Sequence, residues 1–208
     1  ICNYLALLGW SPGDDREDVS MSELVELFVL ERVNSSPARF DMKKLEAING
    51  EKIRKLTLDD FLSRALPFLL KDGVVSGKDE ELTVLRQALP IIQERIARMN
   101  EVSAMLKFLF TDELYFDQEA SAALANEQAR AVIAKSLEVL QGVDDWSHGA
   151  IEAKLREALI DQMALKPRLA FSPVRIAVTG SHISPPLFES MELLGKQRCI
   201  SHLNAAVS

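Results

Sequence analysis

Residues Pro90 to Phe110 read PIIQERIARMNEVSAMLKFLF, and within them Ile92, Ile96, Met99, Leu106 and Leu109 recur at spacings of three, four and seven. That period lines apolar side chains along one face of an α-helix. A proline at position 90 suits a first helical turn, where its missing N–H costs nothing. The stretch therefore predicts one long amphipathic helix, and with it an all-α fold.

The same period continues on both sides. Leu5 and Leu8 form a short helix ended by Gly9 and Trp10, with SPGDD as the turn. Ser22 to Leu30 reads as a helix capped by Ser22, with Leu24, Leu27 and Phe28 as its stripe. Ser36-Pro37 is a cap and first-turn signal, Asp41 opens a further helical register, and Gly50 breaks it. Thr57-Leu-Asp-Asp starts a helix running to Leu70, with its acids in the first turn. After the long helix TDELYFDQEA resets the chain, and Glu127 to Leu140 is helical and closed by Gly142. Trp146 to Ala164 follows. Ser172-Pro173 then caps a short helix stopped by Gly180, and SPPLFESMELLG and KQRCISHLNAAV are separated by Gly195. In SPPLFESMELLGKQR, Ser184 is read as the cap and Pro185 and Pro186 as first-turn residues. The IAV at 176–178 has strand character, but its capped, glycine-ended frame favours helix. No alternating run with hairpin turns and no internal repeat is present.

Of the 208 residues 48% are apolar, enough for a substantial core in one or two domains. No run of about 18 apolar residues occurs, so no membrane span is expected. There is no charged-then-apolar leader, and NYLALLGW begins in mid-pattern, so the start reads as a cut or processed end. Cys2 and Cys199 lie 197 positions apart and are expected to be free thiols in a reducing cytoplasm. His202 follows Cys199 by three and is read with it as a neutral surface pair.

The net charge of −7 excludes an indiscriminate nucleic-acid coat, yet the charge is segregated. Residues 1–38 carry two bases against seven acids, Arg39 to Leu58 six bases against three acids, and Lys166 onward five bases against two acids. Such segregation permits local phosphate contact, and a solvated basic face explains it equally well.

No phosphate loop, HExxH, CxxC pair or GxSxG motif is present, so no catalytic or metal constellation is expected. Asp14-Asp15 and Asp144-Asp145 read as solvated caps, and Asp59-Asp60 as helix-dipole partners. What remains is recognition. Arg95 sits mid-helix beside the apolar stripe, with Arg98 and Lys107 further along, and Arg175 projects from the helix after Pro173. Guanidinium groups pair with or stack on unpaired bases, and helix N-termini offer N–H donors to phosphates. Taken singly, each arginine is explained as well by a surface salt bridge or a snorkelling stem.

Three blocks together carry a resemblance. NYLALLGWSP, NSSPARFDMKKLEAINGEKIR and ALKPR through SPVRIAVTGSHISPPLFESMELLGKQR resemble, in order and separation, the C-terminal half of bacterial glutamyl-tRNA synthetase. The resemblance spans essentially the whole chain. It implies a helical stem-contact region (1–58) followed by a two-part α-helical anticodon-binding unit (59–112 and 113–208) of a class I aminoacyl-tRNA synthetase. The full-length family charges tRNA(Glu) with glutamate using ATP and Mg in a separate catalytic domain. Neither a HIGH-like nor a KMSKS-like signature occurs here, so these residues are expected to be inactive alone and to hold no cofactor.

Carried over residue by residue, the resemblance implies that Arg95 contacts the last anticodon base and that Arg175 matches the arginine of the family's closing block. Ser184, Pro185 and Leu187 match loop positions that contact the first anticodon base. Ala47 stands where the family often has Trp, Lys52 near an aromatic or His, and Pro186 where Gly is frequent. The implied partners are the anticodon loop and stem of tRNA(Glu), with no DNA and no membrane, for a cytoplasmic monomer. The competing reading is a helical protein–protein interaction or adaptor domain.

Overall fold

The computed structural model describes residues 1–14, 16–34 and 39–207. These form twelve α-helices and no β-strand: α1 (Cys2–Gly9), α2 (Met21–Leu27), α3 (Met42–Arg54), α4 (Leu58–Lys71), α5 (Asp79–Gln93), α6 (Glu101–Leu106), α7 (Gln118–Ala125), α8 (Glu127–Gln141), α9 (His148–Arg156), α10 (Pro167–Thr179), α11 (Leu187–Leu194) and α12 (Lys196–Ala205). The all-α expectation holds. Ser36-Pro37 and Asp15 lie outside the described residues.

Several boundaries differ from the sequence expectation, each for a local reason. The single helix expected from Pro90 to Phe110 is two. Helix α5 begins at Asp79, where the Glu81 carboxylate accepts the backbone N–H groups of Ser76, Gly77 and Lys78 at 2.8–2.9 Å. Pro90 thus lies inside α5, on its exposed side. The chain leaves the helix after Gln93 and re-enters at Glu101. The stripe survives the break: Ile92, Ile96, Leu106 and Leu109 are all buried.

The cap of α2 is Ser20, not Ser22. Its hydroxyl accepts the Glu23 N–H at 3.2 Å and the Glu23 carboxylate accepts the Ser20 N–H at 2.8 Å, a reciprocal pair that satisfies two orphan donors. Gly50 does not end α3. It lies in mid-helix, where a Cβ would stand 3.1 Å from the Arg54 guanidinium and in ordinary contact, 3.6 Å, with the Ala97 Cα. Asp117 caps α7, a helix not expected, and Asn126 caps α8, which starts at Glu127 as expected. Helix α10 starts at Pro167, which leaves Ser172-Pro173 in its middle, and Gly180 stops it as expected with φ 76°. Thr57 caps α4 as expected.

One apolar core runs from Ile53 to Leu203. Helix α4 packs on α5 and α6, α10 on α8 and α12, and α11 lies against both α9 and α5. That last contact brings the loop before α11 beside the end of α5. Arg198 on α12 adds a polar tie, donating to the carbonyls of Leu109 and Thr111 at 2.7 Å each. Trp10, Val19 and Leu24 make a separate small core with α1 and α2.

Cys199 and His202 are not a surface pair; both are buried. Both cysteines are free, as expected, and burial pushes the Cys199 thiol well above the usual range. Burial also lowers the His202 pKa below its ordinary value, against a hydrogen bond with the Val178 carbonyl at 2.9 Å. Between the depressed folded value and about 6.5 the unfolded chain binds the proton and the folded chain does not, so His202 favours folding fully above that window and loses this as pH falls through it. His148 works in the opposite sense, raised by its bond to Glu192 at 2.8 Å, but it is exposed and screened. Urea midpoints should therefore fall between pH 7.5 and 5.5, and His202→Gln should flatten that slope; an unchanged slope in the variant would assign it elsewhere.

Candidate functional site

The loop between α10 and α11 is built around Arg175. Its half-buried guanidinium donates through Nη1 to the Ser184 hydroxyl at 2.6 Å and to the Pro185 carbonyl at 2.8 Å. The same hydroxyl donates to the Pro185 carbonyl at 2.9 Å. Ser184 is therefore not a helix cap; Pro186 occupies the cap position of α11, and neither proline lies within the helix. Gly180, with its left-handed backbone, turns the chain into this loop under the Tyr115 carbonyl, which a Cβ would approach to 3.2 Å.

Arg95 lies across from this loop. It is not mid-helix: its N–H bonds the Ile92 carbonyl at 2.8 Å in the turn after α5. Among the described residues its exposed side chain makes no hydrogen bond or ion pair. Arg175 likewise has no carboxylate at ion-pair distance among them, and its pKa is lowered, first by burial and then by the positive charge of Arg95, with Glu189 opposing. Arg95 thus presents a guanidinium with no bound counter-charge, and Arg175 at the loop adds to the positive potential. The geometry favours an anion or an electron-rich edge there.

Beside Arg95 opens a cavity of about 440 Å³ lined by Arg95, Glu101, Ala104, Met105, Ser181 and Ile183, and Arg175 braces the loop that supplies the last two without itself lining it. Its apolar walls are Ala104, Met105 and the 73% exposed Ile183. Glu101 is already committed: its carboxylate accepts the Ala97 N–H at 2.9 Å and the Arg98 Nε–H at 2.9 Å, which outweigh burial and hold its pKa below the usual value. It serves to fix the turn that presents Arg95.

The fold brings Arg95, Arg175, Ser184 and Pro185 together from positions 90 residues apart. Leu187 departs from the expectation. At 4% exposure it is part of the core, because it opens α11 on the face packed inward, and the loop's outward apolar surface is that of Ile183. Met105 and Ile183 carry no signal in the sequence that separates them from ordinary helix and loop residues.

A family model described as "Anticodon binding domain" matches residues 60–207. The chain belongs to this anticodon-binding-domain family. The whole chain is similar to glutamate–tRNA ligases. It is 45% identical over 208 residues to that of Saccharopolyspora erythraea, covering 99% of this chain and 41% of that protein. It is 47% identical over 211 residues to that of Nocardioides sp., covering 100% and 43%. The crystal structure of a glutamate–tRNA ligase from Elizabethkingia meningosepticum in complex with its amino acid superposes with a TM-score of 0.79 at 25% identity, covering 99% of this chain and 40% of that one. The chain thus spans about two fifths of the length of the curated relatives it matches.

Proposed function

We propose that this chain is the tRNA-reading part of a glutamate–tRNA ligase and that the Arg95 cavity receives an unpaired anticodon base. The observation that carries this is the unpaired Arg95 guanidinium on an apolar-walled cavity whose facing loop is braced by Arg175, within a domain of the anticodon-binding family. Unpaired bases are read by edge hydrogen bonds and by stacking, and a free guanidinium over apolar walls suits both. Arg95 makes the contact, while Arg175, Ser184, Pro185 and Leu187 hold the facing loop in position.

The same reading divides the chain at about 58 and 112 into a stem-contact region and two anticodon-binding parts; the start of α4 at Leu58 supports the first seam. It assigns ATP and Mg chemistry to the remainder of such ligases and leaves this chain without activity of its own. Among the described residues no three His, Cys, Asp or Glu side chains gather as a metal ion would require. No helix among them is long and apolar enough to cross a membrane. The reading further assigns the ligase to the cytoplasm as a monomer.

The chain should bind tRNA(Glu) with an affinity that falls as salt rises. Arg95→Gln should lower discrimination at the last anticodon base by roughly 1–3 kcal/mol. Titration with tRNA(Glu) and with transcripts altered at that base checks both. Equal binding to any RNA of similar length would overturn the proposal, and unchanged discrimination in the variant would remove Arg95 from it.

A further inference from the structure

Helix α3 belongs to the basic run from Arg39 to Leu58, and the acidic N-terminal segment lies against it. Asp18 reaches α3 with both carboxylate oxygens, Oδ1 to Lys52 Nζ and Oδ2 to Lys55 Nζ, and Glu17 pairs with Lys44 at 2.7 Å. Asp18 is fixed from behind. The Asn3 side chain donates to the Glu17 carbonyl at 2.8 Å and accepts the Val19 N–H at 3.3 Å, so the backbone on either side of Asp18 is tied to α1. A carboxylate spanning two ammonium groups presents them with the charge and the paired oxygens of one edge of a phosphate.

Lys52 also borders a cavity of about 330 Å³ between α3 and α4, together with Asn49, Leu56, Arg64, Phe68 and Met99. Arg64 is exposed and makes no hydrogen bond or ion pair among the described residues. The 94–100 turn contributes Arg95 to the first cavity and Met99 to this one. Four residues of chain span at most about 14 Å, so a polyanion seated at Arg95 passes within reach of this second basic cleft.

We propose that Lys52, Lys55 and Arg64 form a seat for an RNA backbone phosphate, which Asp18 occupies in the free chain, so that RNA and the N-terminal segment compete for α3. This rests on the RNA-binding reading above. The competition is feasible because the ion pairs held by Asp18 are solvent-accessible and individually weak. An RNA brings several phosphates and gains the release of their counterions. Because Asp18 is tied to α1, its displacement moves the small N-terminal unit and not one side chain alone.

The test is tRNA(Glu) affinity of the 208-residue chain at about 0.1 M salt. Asp18→Asn should tighten binding by about 3–10-fold, since it removes a competing charge from the seat. Lys52→Gln with Lys55→Gln should weaken binding at least about 3-fold and abolish the gain from Asp18→Asn, as coupled sites require. Unchanged or weaker binding by Asp18→Asn with helicity intact overturns the proposal. Should that variant lose helicity, Arg64→Gln decides: without contacts in the free chain it must weaken tRNA binding at constant Tm, and an unchanged affinity overturns the seat. The effects must persist on a tRNA with an altered anticodon, because phosphate is what is held. A wild-type chain that binds no tRNA defeats the parent reading instead.

Discussion

Arg175→Ala should lower stability by about 2 kcal/mol and reduce tRNA(Glu) affinity at least about 10-fold. The guanidinium is the brace of the α10–α11 loop, donating to the Ser184 hydroxyl and the Pro185 carbonyl from a half-buried position. Hydrogen bonds from a charged donor contribute roughly 1.5–3 kcal/mol each. Against this stands the cost of holding a cation partly out of water with no carboxylate partner and with Arg95 nearby, which alanine relieves. Ser184 can still donate to the Pro185 carbonyl, so the loop keeps one internal bond. The net loss corresponds to a fall in Tm of roughly 4–8 °C for a chain of this size. Affinity falls further than stability because the 181–186 loop forms one wall of the Arg95 cavity. Lysine should restore little, since a single ammonium lacks the planar fork. Thermal melts and tRNA titration of the same samples separate the two effects. Unchanged RNA binding alongside a lowered Tm would reduce Arg175 to a purely structural role.

Ile92→Ala should cost about 2–5 kcal/mol. Ile92 is fully buried in the last turn of α5, and truncation there removes apolar burial and leaves a cavity. A loss near 3 kcal/mol is a fall in Tm of roughly 6–12 °C. The site is affected too, because the Ile92 carbonyl accepts the Arg95 N–H and so starts the turn that carries the guanidinium. Urea unfolding at fixed pH gives the stability change. A loss below about 1 kcal/mol would mean that neighbouring side chains collapse into the space, and tRNA affinity would then be retained.

What the sequence made legible follows from what each signal encodes. The 3.6 period marks which residues face inward, and Ile92, Ile96, Leu106 and Leu109 do so. It does not mark whether the chain between them is continuous helix. The break at 94–100 is held by a local bond, the Ala97 N–H to the Glu101 carboxylate, and by one made across the fold, the Asn49 side chain to the Ala97 carbonyl, and the second no local pattern displays. Prolines and glycines misled in the same way. Pro90 and Pro173 are tolerated inside helices, and Gly50 continues α3 instead of ending it. Arg95 and Arg175 stand out in the sequence as candidates, but their roles come only through resemblance to a family, since each arginine alone has a mundane explanation. The burial of Leu187 was concealed because a buried and an exposed leucine look alike at the start of a helix.

The bonds around the 94–100 turn have a mechanical consequence. Gln93 donates to the carbonyls of Ile53 and Leu56 at 2.9 Å, Asn49 donates to Ala97 at 2.5 Å, and Arg98 pairs with Glu46 at 3.5 Å. Helix α3 and the turn are bolted into a single lever with Arg95 at one end and the Lys52–Lys55 face along its length. A tilt of α3 therefore carries the backbone at Arg95 with it.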